Sequence, residues 1–190
     1  MAKNHLLRTV ALFGCAGLML SGCASLKPEA EQKFWRGKLS VQQPLQEPVS
    51  VRFELLQASP ELDQWLILSP IGTRLAQLDV HPNRVCAQIS TKARQCYNDA
   101  ETLLQEQLGF HIPLRALPDW LQARCHALMP CHKASESSDT FKLEQGAWII
   151  RVVKWDAQNQ PKLIRIEHRQ NEQSNLFVSV AIQDHRHGLH

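Results

Sequence analysis

Residues 49–55 read VSVRFEL, so apolar side chains alternate there with Ser, Arg and Glu. This period of two is typical of a β-strand with one buried and one exposed face. The apolar run WLIL at residues 65–68 predicts a second strand, which ends at Ser69-Pro70-Ile71-Gly72, where Pro and Gly favour a turn. The two segments predict antiparallel strands joined by short connections.

The same alternation recurs on both sides of this region. Further strands are predicted near residues 39–41, 75–80, 85–89, 94–97, 141–143, 148–155, 163–167 and 176–182. Such a long meander can curl with its apolar face inside. It therefore predicts a mainly β fold of the α+β class, an open antiparallel half barrel of about nine to eleven strands around an apolar cavity.

Between residues 99 and 121 the apolar spacing becomes that of helices. Asp99 can cap a first helix that stops at Gly109, and a second helix follows. Their apolar stripes are Ala100, Leu103, Leu104 and Leu108, and then Leu114, Leu117, Trp120 and Leu121. We expect the two helices to cover the opening of the half barrel, and the Ser-rich residues 135–138 to belong to a loop that follows them.

The amino terminus has the features of an export signal. An apolar run at residues 10–20 follows Lys3 and Arg8, and its length suits a signal peptide better than a membrane span. It ends at Leu20-Ser21-Gly22-Cys23, which resembles the lipobox of bacterial lipoproteins, where the Cys is acylated and cleavage occurs just before it. The alternative is a signal anchor that contains a Cys by chance.

The lipobox divides the chain into a signal peptide at 1–22, a lipidated terminus and tether at 23–33, and a folded domain at 34–183. The polar residues 184–190 are expected to form a flexible tail. Ala24, rather than Asp, follows Cys23. By resemblance to other lipoproteins this predicts the outer membrane, with the domain on the periplasmic side.

Without Cys15 and Cys23, four cysteines remain for the exported domain. Cys86 and Cys96 are equally distant from Thr91, so a hairpin centred there would pair them. Cys125 and Cys131 would close a short loop. Each of these two is followed by His, which leaves a metal site as the alternative, but the spacing is not that of a zinc motif, and disulfides are the preferred interpretation.

Composition and motifs exclude several classes of function. A net charge of +3 is too small to indicate nucleic-acid binding, and no nucleophile elbow, phosphate loop, dinucleotide fingerprint or zinc-protease motif is present. We therefore expect no enzyme, no metal and no cofactor. The apolar interior, with five Trp in the chain, indicates either a container for apolar ligands or an ordinary packed core. The candidates for the cavity and its lid are Trp35, Leu39, Val51, Phe53, Trp65, Leu103, Leu117, Trp120 and Trp148.

Several of these segments together resemble the LolB family of outer-membrane lipoprotein receptors. The matching segments are the lipobox at Cys23, FWRGKL at 34–39, LSPIG at 68–72, and the acidic helix followed by LGFHIPL at 108–114 with Leu117 and Trp120-Leu121. The resemblance covers about residues 34 to 182, but not the four cysteines, which are not a pattern of the family.

The resemblance implies a function in lipoprotein transport. A LolB protein accepts the acyl chains of lipoproteins from the soluble periplasmic carrier LolA and places them in the inner leaflet of the outer membrane, without cofactor or nucleotide. The family carries an exposed Leu in a Pro-x-Gly loop that is needed for insertion, and Ile71 between Pro70 and Gly72 holds that position here. We expect a monomer. The alternatives are a lipoprotein that binds a small apolar ligand or free lipid, and a structural lipoprotein with a filled core.

Overall fold

The computed structural model describes residues 31–108, 112–137, 140–169 and 175–188. Within these residues, 11 strands form one antiparallel sheet. The strands are β1 (Lys33–Gln42), β2 (Val49–Ser59), β3 (Leu62–Leu68), β4 (Arg74–His81), β5 (Arg84–Ile89), β6 (Gln95–Tyr97), β7 (Cys131–Ser137), β8 (Thr140–Gln145), β9 (Trp148–Trp155), β10 (Pro161–Arg169) and β11 (Asn175–His187). Helices α1 (Ala100–Leu108) and α2 (Leu117–Trp120) lie between β6 and β7 in the sequence.

The strand order is β6-β5-β4-β3-β2-β1-β11-β10-β9-β8-β7, so the first and last strands are neighbours in the middle of the sheet. We call β1–β6 the first wing and β7–β11 the second wing. The outermost strands, β6 and β7, have no strand on their far side among the described residues, so the sheet is open. Each wing is a simple meander, as the sequence pattern predicts.

One face of the sheet, the inner face, carries the core. In β2 the residues in phase with Phe53 and Leu55 point to this face, and both of these side chains are buried. The register places Leu55 between Trp35 of β1 and Trp65 of β3, and both Trp side chains are buried as well. Burying one such side chain contributes about 1.5–3 kcal/mol. The alternation therefore fixes which face of each strand is inside.

Gly37 allows the two wings to approach each other in the centre of the sheet. An added Cβ at Gly37 would lie 2.3 Å from the carbonyl oxygen of Ala181 and 2.9 Å from the Phe53 ring. The β1–β11 register also shifts between Arg36 and Gly37. Any larger residue would force β1 away from β11.

Helix α1 begins as predicted. The Asp99 carboxylate accepts hydrogen bonds from the backbone N–H groups of Glu101 at 2.8 Å and Thr102 at 3.1 Å. The expected stop at Gly109, like Phe110 and His111, lies outside the described residues. Helix α2 is only four residues long, yet its predicted apolar residues are all buried. Neither α1 nor α2, the helices among the described residues, has the length and apolar character of a membrane-spanning helix.

Two expectations about local structure are wrong. Residues 131–137 form strand β7, where the sequence predicts a loop. Residues 184–187 are not a free tail but extend β11, and the register pairs His187 with Lys33 of β1. In both segments the side chains lack a clear apolar pattern, and the backbone pairing with the neighbouring strand carries the structure.

Candidate functional site

Most of the predicted cavity and lid residues belong to the packed core. Seven of them are buried and join one apolar cluster with residues from both wings: Trp35, Phe53, Trp65, Leu103, Leu117, Trp120 and Trp148. Leu39 and Val51 are only partly buried. The structure therefore divides the nine predicted residues between the core and a more accessible part of the inner face.

Leu39 and Val51 are part of a longer apolar strip on the first wing. The strip consists of Leu39, Val51, Ile67, Ala76 and Ile89, all partly buried and in phase with buried residues of their own strands. Leu39 pairs with Val51, Ile67 pairs with Ala76, and Ala76 pairs with Ile89. The strip thus crosses β1 to β5 near the ends of β1, β3 and β5.

The turn between β3 and β4 presents Ile71 to solvent. Gly72 takes a left-handed conformation with a φ of 93°, which a residue with a side chain rarely adopts. Two backbone hydrogen bonds close the turn, from Ser69 N to Thr73 O at 2.8 Å and from Gly72 N to Ser69 O at 2.9 Å. The Ile71 side chain at its tip is 90% exposed. The turn therefore holds one apolar side chain in an exposed position.

Residues 112–130, which we call the α2 segment, attach to the second wing, and Trp120 in this segment packs against Trp148 of β9. Gln145 of β8, completely buried, holds the segment through four hydrogen bonds. The Gln145 Oε1 accepts from Trp120 Nε1 at 2.6 Å and from the backbone N–H of His126 at 2.9 Å. The Gln145 Nε2 donates to the backbone carbonyls of His126 at 2.8 Å and Met129 at 3.1 Å.

The α2 segment also contacts the first wing, through fewer bonds. Arg115 donates to the carbonyl of Pro82, in the β4–β5 turn, at 2.6 Å. Lys33 of β1 donates to the Gln122 side chain at 3.1 Å. The α2 segment therefore bridges the two wings, but its stronger attachment is to the second.

Asp63 of β3 is a partly buried carboxyl group that interacts electrostatically with charged residues of the α2 segment. Burial raises the pKa of Asp63 to about 6, against a hydrogen bond from Gln57 that lowers it. The charge of Asp119 in α2 raises the Asp63 pKa further, while Arg115 and His126 lower it. Asp119 itself bonds to Nδ1 of His126 at 2.9 Å. A negative charge on Asp63 is thus unfavourable in the folded protein.

Disulfide bonds join Cys86 to Cys96 and Cys125 to Cys131. The first links the paired positions of β5 and β6 at the edge of the first wing. The second closes the end of the α2 segment onto the first residue of β7. Among the described residues, no group of three or more His, Cys, Asp or Glu side chains is arranged to hold a metal ion.

Sequence reasoning pointed to the turn at Pro70, Ile71 and Gly72, but it missed Gln145 and Asp63. The sequence did contain a signal for Gln145. It lies on the same face of β8 as Phe141 and Leu143, and it is the one polar residue among these three. The predicted lipid attachment site, Cys23, lies outside the described residues together with the whole signal peptide.

Comparison with known proteins gives a consistent result. The family model described as "Outer membrane lipoprotein LolB" matches residues 33–183. The Outer-membrane lipoprotein LolB of Cupriavidus necator is 29% identical over 192 residues, with 92% of this chain and 95% of the relative covered. That of Ralstonia nicotianae is 26% identical over 159 residues, or 76% of either chain. A LolA superfamily protein of Nitrosomonas europaea shares the fold with a TM-score of 0.54 at 11% identity, over 84% of this chain and 86% of that one.

Proposed function

The chain belongs to the LolB family of outer-membrane lipoproteins, and we propose that it is the receptor that completes lipoprotein transport across the periplasm. It receives lipoproteins from a LolA-like soluble carrier, holds their acyl chains on its apolar inner face, and inserts them into the inner leaflet of the outer membrane. It works as a monomer, without catalysis, cofactor or nucleotide. The observation that carries the proposal is the exposed Ile71, mounted at the end of β3 beside a partly buried apolar strip.

The acyl chains lie, in this proposal, within a half barrel formed by the open sheet and covered by the α2 segment. The strip from Leu39 to Ile89 is the accessible part of the lining, and the buried Trp side chains form its floor. A receptor of this kind needs an apolar surface that is neither filled by its own side chains nor fully open to water. The partial burial of the strip supports this location.

The direction of transfer does not require an energy source. Burying an acyl chain in a protein groove or in a bilayer gains a similar free energy, about 0.8 kcal/mol per CH₂ group. Small differences in affinity then set the direction, because a tenfold preference at each step needs only about 1.4 kcal/mol. A carrier that binds more weakly than the receptor, and a receptor that binds more weakly than the membrane, suffice.

The receptor is anchored through Cys23, the first residue of the mature chain in our proposal, with residues 24–32 as the tether between lipid and β1. The LSGC sequence after a short apolar run supports this assignment. Mass spectrometry of the mature protein should find an acylated Cys at its amino terminus, and Cys23→Ser should leave an unlipidated precursor. An unmodified terminus beyond Cys23 would contradict the assignment.

Ile71 acts at the insertion step in this proposal, because its side chain lies outside the core and can enter the lipid phase. The test is a two-stage assay with Ile71→Glu, measuring transfer from carrier to receptor and then from receptor to liposomes. The change should alter the free energy of unfolding by less than about 0.5 kcal/mol, as for other exposed positions. Receipt should persist, and delivery should fail because a carboxylate resists entry into an apolar phase.

A matched control is Leu128→Glu, because Leu128 is also an exposed apolar residue, 71% accessible, but lies in the α2 segment. Delivery should survive that change. If Ile71→Glu delivers normally, the turn has no role in insertion. If it also abolishes receipt or lowers the melting temperature strongly, Ile71 belongs to the binding surface or the core. Binding of free lipid without any receipt from the carrier would favour the alternative of a simple lipid-binding lipoprotein.

A further inference from the structure

Leu45, in the turn between β1 and β2, combines an unusual backbone conformation with an exposed apolar side chain. Its φ is 64°, in the left-handed region that Gly and Asn tolerate and a γ-branched apolar residue does not favour. Its side chain is fully accessible, at 107% of the reference value for an exposed residue. The Leu45 side chain therefore lies outside the core, and a backbone outlier of this kind is a reason to look for a function.

The position of the turn suggests that function. Strands β2 and β3 are antiparallel, and Arg52 near the start of β2 pairs with Leu68 at the end of β3. The β1–β2 turn at residues 43–48 and the β3–β4 turn at 69–73 therefore project from the same end of the sheet. The β5–β6 turn at 90–94 joins them there, since the Ser90 N–H donates to Leu75 at the start of β4. We call these three turns the rim.

The rim carries exposed positive charge, mostly near Ile71. Arg74 and Lys92 are exposed at the β3–β4 and β5–β6 turns. The Arg52 guanidinium reaches the Ile71 turn, with Nη1 3.8 Å from where a Cβ on Gly72 would lie. Glu47 is the one acidic residue within the three turns. Basic side chains beside exposed apolar ones are typical of a surface that contacts anionic lipid headgroups.

We propose that Leu45 is a second membrane-contacting residue and that the rim, with Leu45 and Ile71 at its two tips, rests on a bilayer that contains anionic phospholipid. The proposal deepens the role proposed above for Ile71 and rests on it. The occupant is a lipid surface, because the tips are separate apolar side chains on a rim with more basic than acidic residues, and they do not form a groove that would fit a peptide.

Two points of contact restrict the orientation of the sheet on the membrane more than one point does. Val49, at the start of β2, is 53% exposed and has the inward phase of Val51. It pairs with Val41 and continues the apolar strip to the rim end of the strands, between the two tips. With both tips in the bilayer, the strip opens towards the acyl region of the lipids, so an acyl chain can move along an apolar path.

The test places a fluorescent label on the full lipidated protein. Leu45→Cys, Ile71→Cys and Leu128→Cys are each labelled with an environment-sensitive dye and reconstituted into vesicles of phosphatidylethanolamine and phosphatidylglycerol. Lipids with a nitroxide on the acyl chain should quench the labels at 45 and 71 and leave the label at 128 unquenched. Quenching at 71 but not at 45 would overturn the proposal for Leu45 and leave that for Ile71 intact. Absence of quenching at both positions would overturn both.

A second variant separates membrane contact from folding. Asn tolerates the left-handed conformation, so Leu45→Asn should keep or raise the melting temperature. Delivery to the vesicles should slow by about tenfold, the effect of losing one partly inserted Leu side chain, while receipt from the carrier stays unchanged. Unchanged delivery by this variant would overturn the proposal. Replacing phosphatidylglycerol with a zwitterionic lipid should weaken the quenching at both tips. Unchanged quenching would refute the proposal that the basic residues of the rim bind anionic lipid.

Discussion

Replacement of Gln145 with Leu should release the α2 segment from the second wing. The change leaves two N–H donors and two carbonyl acceptors without their partner. The indole N–H of Trp120 is fully buried. Leaving it unpaired should lower the free energy of unfolding by about 1–3 kcal/mol, the usual cost of an unpaired buried group. The three backbone groups of His126 and Met129 are closer to solvent, so we assign them roughly 0.5 kcal/mol each. The free energy of unfolding should therefore fall by about 3 kcal/mol, or roughly 10 °C in melting temperature for a domain of this size.

Gln145→Glu gives a sharper result because it keeps the shape and the two accepted hydrogen bonds. The new carboxyl group faces the carbonyls of His126 and Met129 in a completely buried position. The N–H groups of Trp120 and His126 favour the ionised form, but complete burial and the two carbonyls favour the protonated form, and we expect burial to dominate, so the pKa in the folded state should exceed the unfolded value of about 4.3. The stability of the variant should be near that of the wild type below about pH 4 and should fall as the pH rises through the folded pKa.

Urea denaturation at pH 4 and pH 7.5, followed by circular dichroism, measures both effects. Hydrogen exchange of the amides in residues 112–130 shows whether the loss is local. Gln88→Glu is the control, because Gln88 lies on β5 with the opposite phase to the buried Ala87. If Gln145→Leu loses less than about 1 kcal/mol, or if Gln145→Glu shows no additional dependence on pH, the α2 segment is not held by this residue.

Three more changes test other parts of the structure. Asp63→Asn should raise the free energy of unfolding at pH 7.5 by about 1–2 kcal/mol. The wild type should lose stability as the pH rises from 3.8, the unfolded pKa of Asp63, to about 6, its folded pKa, and the variant should not. Denaturation curves across that pH range test this, and the same pH dependence in both proteins would contradict the raised pKa. Gly37→Ala should lower the free energy of unfolding by more than about 3 kcal/mol, because the added Cβ would lie 2.3 Å from the Ala181 carbonyl oxygen. A melting temperature near that of the wild type would show that β1 can shift to make room. Thiol labelling of the unreduced, denatured protein should leave Cys86 and Cys96 unlabelled. Labelling of both would show that they are not joined by a disulfide.

The architecture was readable from the sequence where one face of a strand is buried. In β2 and β4 the apolar residues recur at every second position because the inner face excludes water and the outer face does not. The same rule failed for β7, whose sequence CHKASES lacks that pattern. Pairing of its backbone with β8 makes it a strand. Backbone pairing leaves no trace in the order of side chains, so an edge strand of this kind reads as a loop.

The candidate site was readable only where its features are local. Pro70 and Gly72 reveal a turn by themselves, and Ile71 between them is therefore visible as an exposed apolar residue. The hydrogen bond from Trp120 to Gln145 joins residues that are 25 positions apart, so the attachment of the α2 segment depends on how the chain folds back onto β8. The raised pKa of Asp63 likewise arises from its burial and from charges more than 50 residues away in the α2 segment. Such properties exist only after folding.

Leu45 shows a further limit, because neither its exposure nor its φ can be inferred from the surrounding QPLQE sequence. A residue selected for folding alone at a φ of 64° would be Gly or Asn, which remove the strain in the turn. If Leu45 contacts the membrane as we propose, folding and membrane contact favour different residues at this position, and Leu is the one that adds an apolar tip to the rim. At Ile71 the two requirements do not conflict, since the neighbouring Gly72 takes the left-handed conformation and leaves the apolar residue unstrained. In our proposal the β3–β4 turn uses two residues, Gly72 to bend the backbone and Ile71 to contact lipid, whereas Leu45 has both roles in the β1–β2 turn.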